Sequence, residues 1–281
     1  MCPDVLTALA NIMIHHDNDV SAYLTRYGIR INSVGEKLEL FLKDAVVDSF
    51  KIAEPAKTQS HQAVFSYLGN QNNPPDFIIK GSDAFEVKKA QGYGEIQLNS
   101  SPPKDRLHST DSRISKDCRE CEKWSEKDLF YVIGIMEKDI LNDLFFVHGR
   151  CYCAEDTVYE KASKSIEMGV KNLIKENGWE AADTNELGRI NKVDPLGITS
   201  LRIRGMWLIK NPFTVFSKIL LPNKGKGFRL HCLMTEDKYN SYPFTSRNAL
   251  TNNGLTISQI NVLNPNNLAK NINSIMVSGS W

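Results

Sequence analysis

The fold is decided by the stretch Pro75-Asp76-Phe77-Ile78-Ile79-Lys80-Gly81-Ser82-Asp83-Ala84-Phe85-Glu86-Val87-Lys88. Residues 77–80 and 84–87 are mostly apolar or aromatic, as strands prefer. Gly81-Ser82-Asp83 between them has the composition of a turn. The stretch therefore predicts a β-hairpin with a three-residue loop.

The predicted hairpin places its charged residues on one face. If the loop is 81–83, Asp76 lies opposite Lys88. Side chains alternate between the two faces of a strand, so Asp76, Glu86 and Lys88 then point to the same side. A two-residue loop would move Asp76 to the other face, so the shared face is a prediction about register.

These three side chains suit a particular chemistry. Two neighbouring carboxylates repel each other unless a cation lies between them. Hard oxygen ligands without Cys or His favour Mg²⁺, and a lysine beside them can orient or activate a water molecule. The pattern predicts a site for phosphodiester hydrolysis, with an exposed hairpin of ordinary surface charges as the alternative.

Two later segments extend the pattern in the same order along the chain. Residues 96–104 read IQLNSSPPK, and residues 194–207 read DPLGITSLRIRGMW. With the hairpin they resemble the PD-(D/E)xK nuclease superfamily, and within it the type II restriction endonucleases of the NgoPII-like group. The resemblance runs from about Gly35 to about Phe216, and it implies an α/β nuclease core with a mixed central β-sheet flanked by helices.

The resemblance also implies an activity. It implies Mg²⁺-dependent cleavage of double-stranded DNA at a short G+C-rich palindrome, GGCC, leaving 5′-phosphate and 3′-hydroxyl ends. The metal ligands would be Asp76, Glu86 and the backbone carbonyl of Val87, with Lys88 acting on the water. A palindromic site favours a homodimer, and a companion DNA methyltransferase would act on the same site. A structure-specific repair or recombination nuclease and a non-enzymatic DNA-binding protein are the alternatives.

Candidate DNA contacts follow from residue type and position. Amides and hydroxyls donate to phosphates and read base edges, and a lysine contacts phosphates. Arg202 and Arg204 share a strand face by parity and could each bind a guanine, unless they contact phosphates or acids of the protein itself. The amides, hydroxyls and lysine proposed to contact DNA are Gln97, Asn99, Ser100, Ser101 and Lys104.

Glu36 has two interpretations. Ser33-Val34-Gly35-Glu36 fits the S-x-x-E capping box of a helix start. The resemblance instead implies a glutamate on the helix before the hairpin that helps to hold the metal. Glu39, one turn further on, is interpreted as a surface residue.

The cysteines allow a zinc site but do not favour it. Cys118 and Cys121 have the spacing of zinc ligands, and Cys151 and Cys153 would lie on one face of a strand. The favoured interpretation is two ordinary pairs of reduced cysteines rather than a four-thiolate zinc site.

Composition excludes little on its own. The chain has 281 residues, 41% hydrophobic residues and a net charge of +1, as in ordinary globular proteins. Basic residues dominate between Arg189 and Arg229, which suits a protein that contacts DNA on one side. No membrane span or signal peptide is evident, so we expect a cytoplasmic protein, prokaryotic by the resemblance.

The periodicity of apolar residues predicts the remaining elements. We expect a single nuclease domain over residues 1–281, with a loop-rich region from about 238 to 281 because Asn, Ser and Pro are frequent there. The predicted helices are 4–14, 33–50 and 155–177, and the predicted strands beyond the hairpin are 129–136, 143–152, 201–209 and 228–234.

Overall fold

The computed structural model describes residues 3–15, 20, 34–69, 73–138, 140–184, 186–222 and 227–281. The chain divides into two compact units. The first comprises Met1–Ile96, Asp105–Cys153 and Lys210–Trp281, and the second comprises Gln97–Lys104 and Ala154–Ile209. A single nuclease domain stays a prediction.

The helices within the described ranges are α1 (Val5–His15), α2 (Val34–Val47), α3 (Ala56–Val64), α4 (Lys116–Glu120), α5 (Gly149–Tyr152), α6 (Asp156–Glu176), α7 (Pro212–Val215), α8 (Glu236–Ser241) and α9 (Phe244–Asn252). The strands are β1 (Phe65–Tyr67), β2 (Phe77–Ile79), β3 (Ala84–Ala90), β4 (Ile96–Asn99), β5 (Arg106–His108), β6 (Glu126–Glu137), β7 (Ile140–His148), β8 (Gly188–Ile190), β9 (Leu201–Ile203), β10 (Trp207–Ile209), β11 (Arg229–Thr235), β12 (Thr256–Asn264) and β13 (Asn267–Ser280). No helix among the described residues is both long enough and apolar enough to span a bilayer.

A large mixed sheet forms the centre of the first unit. Its strand order is β1-β2-β3-β6-β7-β11-β13-β12, and β5 pairs with β6 at the side. The pairs β3–β6 and β7–β11 are parallel and the other pairs are antiparallel. The predicted α/β fold with a mixed central sheet flanked by helices is therefore confirmed.

The centre of the sheet is apolar because both of its faces are covered. Strand β6 is buried from Leu129 to Met136, which is the continuous apolar run expected of a fully buried strand. Helix α2 packs closely on this strand at Gly134, where a Cβ atom would lie 2.7 Å from Cδ2 of Leu38. This close approach fixes which side of α2 faces the neighbouring strand β3.

The hairpin forms, but its three-residue loop begins one residue earlier than predicted. Ile79 donates its N–H to the carbonyl of Asp83, 3.0 Å away, so the loop is Lys80-Gly81-Ser82. Gly81, in the middle of this loop, adopts a φ of +65°, which a glycine tolerates without strain. The loop still has three residues, so the predicted face of each side chain is unchanged.

The prediction of a loop-rich C-terminal region is wrong. Residues after Thr235 form α8, α9 and the long antiparallel pair β12–β13, and β13 joins the central sheet beside β11. The frequent Asn residues conceal the pattern, because many of them lie on exposed strand positions of β12 and β13.

Two predicted strands also need correction. The strand that begins near Asp143 ends at His148, and Cys151 lies in the short helix α5. The predicted strand 201–209 is interrupted, because residues 204–206 separate β9 from β10. In the second unit β8 pairs with β9, and β10 pairs with β4.

Candidate active site

The hairpin brings the two acids and the lysine of the sequence motif together. Nζ of Lys88 lies 2.6 Å from Oε1 of Glu86. The N–H of Val87 donates to Oδ2 of Asp76 at 2.5 Å, and the N–H of Asp76 donates to the carbonyl of Phe85 at 2.8 Å. The three side chains therefore meet on one face of the hairpin.

The opposite face of the hairpin is held by aromatic packing. The rings of Phe77 and Phe85 stack with centroids 4.8 Å apart, and Phe130 on β6 continues the stack at 5.8 Å. Burying this face fixes the register of the hairpin, since a slip of one residue would exchange the buried and the charged faces.

The turn of the hairpin is anchored by residues that the sequence analysis did not use. Asp83 is buried and accepts a hydrogen bond from the hydroxyl of Tyr242 at 2.7 Å. Nζ of Lys238 pairs with Asp83 and also lies 2.8 Å from Oδ2 of Asp128. The C-terminal region thus holds the hairpin turn, and the chain offers no local signal for this contact.

Both carboxylates have a raised affinity for protons. Burial, and then the charge of Asp76, raise the pKa of Glu86 to about 7. Burial also raises the pKa of Asp76, against the opposing effects of Lys88, the Val87 N–H and Lys43. Without a further cation, the ionised form of this pair is therefore unfavourable near neutral pH.

Lys88 is held in its charged form. Burial alone would lower the pKa of Lys88, but the carboxylates of Glu86 and Asp76 outweigh it and raise that pKa. A protonated lysine cannot take a proton from water. In this state Lys88 can orient a water molecule or stabilise negative charge on a phosphate.

Glu39 on α2 shares the electrostatic field of this site. The side chain of Glu39 is half-buried on α2, and burial followed by the charge of Asp76 raises its pKa. Glu39 in turn raises the pKa of Glu86. Interpreting Glu39 as a surface residue was wrong, whereas Glu36 is exposed and its role as a metal ligand stays a prediction.

A second lysine belongs to the same group. Nζ of Lys43 lies 3.5 Å from Oε2 of Glu39, and its charge lowers the pKa of Asp76. It also lies 5.8 Å from the centroid of the Phe77 ring. The group thus contains three carboxylates and two ammonium groups, which leaves a net charge of −1 when all five are ionised.

The residues present fit a magnesium ion. Oε2 of Glu86 is buried and has no hydrogen-bond partner among the described residues, so it is available as a ligand. No cluster of three or more His, Cys, Asp or Glu side chains arranged to hold a metal is found among the described residues. That is compatible with Mg²⁺, which proteins often bind through one or two carboxylates together with waters and substrate phosphates.

The four cysteines considered as zinc ligands cannot meet. Sγ of Cys121 contacts Ser66 on β1, and Sγ of Cys151 contacts Ser274 on β13, each at 3.7 Å. Strands β1 and β13 are six positions apart in the sheet, which corresponds to roughly 25–30 Å. A zinc site shared by Cys118, Cys121, Cys151 and Cys153 is therefore ruled out by the strand order.

The candidate DNA contacts belong to the second unit and differ in exposure. Gln97, Asn99 and Ser100 are exposed and Ser101 is half-buried, so their predicted role stays open. Lys104 is only 2% exposed. A phosphate contact by Lys104 conflicts with this burial, because almost none of the residue's surface is open to solvent.

Arg202 and Arg204 both contact one acid of the protein. Nη2 of Arg202 lies 2.6 Å from Oε1 of Glu186, and Nε of Arg204 donates to the same oxygen. Both side chains remain about half exposed. A DNA phosphate or a guanine would have to compete with Glu186, so base reading by these arginines stays a prediction.

The difference between Glu39 and Glu36 can be measured. We expect Glu39→Gln to weaken Ca²⁺ binding roughly fivefold, since removing one negative charge near the ligands costs about 1 kcal/mol. Glu36→Gln, one turn away on the same helix, measures the rival candidate, and we expect a smaller effect there because Glu36 is exposed. Titration calorimetry on both variants makes the comparison, and equal effects would contradict the assignment of Glu39.

Comparison with known proteins finds relatives over most of the chain. A family model described as NgoPII restriction endonuclease matches residues 3–263. The chain is 42% identical over 252 residues to the type II restriction enzyme NgoPII of Neisseria gonorrhoeae, which covers 89% of this chain and 90% of that protein. No solved structure matches the chain.

Proposed function

The chain belongs to the NgoPII restriction endonuclease family, and from that premise we propose that it cuts both strands of DNA at a short palindrome with Mg²⁺ as cofactor. The activity of a type II restriction enzyme rests on the family match and on the 42% identity to NgoPII. The metal, the site residues and the chemistry of the ends are inferred from the geometry and from the family.

The observation that carries the proposal is the meeting of Asp76, Glu86 and Lys88 on one face of the hairpin. A protein that only bound DNA would gain nothing from two buried carboxylates, because these repel a phosphate backbone. The raised pKa of Glu86, about 7, and the unpartnered Oε2 of Glu86 both indicate a position that a divalent cation would stabilise.

Each residue has a proposed role in the reaction. Asp76, Glu86 and the carbonyl of Val87 would hold Mg²⁺, which when bound would supply a Lewis acid for the scissile phosphate and lower the pKa of a water molecule. The ammonium group of Lys88 orients the attacking water and stabilises charge on the phosphate as the P–O bond breaks. In-line attack at phosphorus leaves a 3′-hydroxyl and a 5′-phosphate.

The partners follow from the family and from symmetry. A palindromic site is read symmetrically by a homodimer, in which each protomer cuts one strand. The recognition sequence proposed from the resemblance is GGCC. A companion methyltransferase would protect the same sequence in the host, and the enzyme would act in the cytoplasm of a prokaryote, where that DNA lies.

Digestion of unmethylated phage DNA tests the function. With Mg²⁺ we expect a reproducible set of discrete fragments, and with EDTA we expect intact DNA. A smear, or cuts confined to branched DNA, would favour a structure-specific nuclease of the same superfamily. Binding without any product over long incubation would favour a non-enzymatic DNA-binding protein.

A further inference from the structure

The long helix α6 packs on its own unit by a narrow strip of residues. Of its 21 residues, Ile174 alone is buried. Val170 and Ile174 pack against Gly188 on β8, where a Cβ atom would lie 2.5 Å from Cγ1 of Val170. This contact determines which side of α6 faces the rest of the second unit.

The side of α6 next to this contact carries an apolar stripe that is open to solvent. Val158, Ile166 and Leu173 are 54%, 53% and 60% exposed, and Ala162 and Gly169 lie between them on the exposed surface. Their spacing of four, four, three and four residues follows the helical period, so they form one line. We call these five residues the α6 stripe.

The α6 stripe has the area of an interface core. A half-exposed aliphatic side chain leaves on the order of 100 Å² in solvent, so the three large side chains of the stripe together expose roughly 300 Å². Monomeric proteins seldom expose more than a few hundred Å² of contiguous apolar surface. A stable dimer buries about 800 Å² on each partner, of which somewhat more than half is apolar.

The α6 stripe is complementary to itself under a two-fold rotation. If two copies of α6 lie antiparallel with the axis between Ser165 and Ile166, Val158 of one copy faces Leu173 of the other. Ala162 then faces Gly169. A closed dimer requires this self-complementarity, in which the same patch is used by both chains.

Gly169 supplies an independent observation. Glycine within a helix costs about 1 kcal/mol relative to alanine, and a Cβ atom at Gly169 would meet nothing within 4 Å among the residues that the structure describes. No contact in the described part of the chain therefore explains the glycine. In the antiparallel pair it lies opposite Ala162, so small residues face each other on both sides of the two-fold axis and the two helices can approach closely.

We propose that the α6 stripe is the surface through which two copies of this chain form a dimer. The proposal deepens the homodimer of the proposed function by naming its surface, and it rests on that function only for the expectation of symmetry. The occupant of the stripe is a second α6 in antiparallel orientation.

The mass of the protein in solution, measured without DNA or metal, tests the proposal. We expect wild-type protein at micromolar concentration to sediment with twice the chain mass of 31.7 kDa. Ile166→Asp should sediment as a monomer, because the charge would lie at the two-fold axis. Leu268→Asp removes a side chain that is 76% exposed on β13 and should remain a dimer.

A second variant guards against misfolding. Gly169→Leu introduces a better helix former, so an isolated chain should not lose thermal stability, but the larger side chain should prevent close approach and yield a monomer. A monomeric wild type, or a dimer that survives both α6 substitutions, would overturn the proposal. Because cleavage is not measured, an inactive protein that dimerises through α6 would contradict only the proposed function.

Discussion

Replacing Asp76 with asparagine is expected to lower the rate of DNA cleavage by about a thousandfold or more while DNA binding stays nearly unchanged. The amide oxygen of asparagine can still accept the hydrogen bond from the Val87 N–H, so the local structure should persist. The negative charge that would hold Mg²⁺ is lost. Single-turnover cleavage and a binding titration in Ca²⁺ measure the two quantities separately.

The control for this variant is Asp48→Asn. Asp48 is an exposed carboxylate just beyond the end of α2, in the same unit, and it adopts a φ of +52° that asparagine also tolerates. The Asp48→Asn variant should cleave DNA at the wild-type rate. Cleavage by Asp76→Asn at more than a tenth of the wild-type rate would remove Asp76 from the mechanism.

Replacing Glu86 with glutamine is expected to stabilise the metal-free protein while abolishing cleavage. Burial raises the pKa of Glu86 from 4.5 to about 7 in the folded chain. The ionised carboxylate therefore destabilises the fold fully above pH 7, and the effect disappears as the pH falls below the unfolded value of 4.5. Glutamine removes this penalty, which amounts to about 3 kcal/mol at pH 8.

Thermal or urea unfolding at pH 8 and pH 5 makes the measurement. The gain in unfolding free energy for Glu86→Gln should be large at pH 8 and small at pH 5. Millimolar Mg²⁺ should stabilise the wild type but not the variant, since a ligand stabilises only the state that binds it. Glu120→Gln, at an exposed position of α4, is the control, and an equal gain there would contradict the explanation.

The gain in stability expected for Glu86→Gln would come from the repulsion between carboxylates in the site. The site holds three carboxylates within one electrostatic field, and the free energy of that repulsion is released when a cation binds. Lys43 and Lys88 reduce the repulsion but leave a net charge of −1 when all five groups are ionised. A divalent ion changes the net charge to +1, which suits a site that must then accept a phosphate.

The sequence predicted the face of each hairpin side chain correctly because face depends only on counting residues in the loop. It did not predict the register, because the turn closes between Ile79 and Asp83. Asp83 is held there by Tyr242 and Lys238, about 155 residues further along the chain. No local pattern in residues 75–88 contains that information.

The choice between Glu36 and Glu39 shows the same limit. The capping-box pattern is local and drew attention to Glu36, and Ser33 of that pattern lies outside the described residues. Which glutamate faces the hairpin depends on how α2 packs on the sheet, and that is set by the contact of Leu38 with Gly134. A helical projection with Leu38 and Phe41 inward does not show which glutamate faces the hairpin, because it does not give the position of β3.

The cysteines mislead for a related reason. The spacing of Cys118 and Cys121 is that of zinc ligands, but spacing along the chain does not give the order of strands in a sheet. Ser66 and Ser274, which contact Cys121 and Cys151, lie on strands six positions apart. Strand order is set by long-range pairing, which sequence spacing does not encode.

Sequencing the ends of DNA fragments produced by the wild-type protein tests the central claim most directly. In Mg²⁺ the account predicts that every fragment ends within one short palindrome, with cuts placed symmetrically on the two strands and a phosphate on each 5′ end. Fragments that share no sequence at their ends, or identical cutting in EDTA, would contradict it.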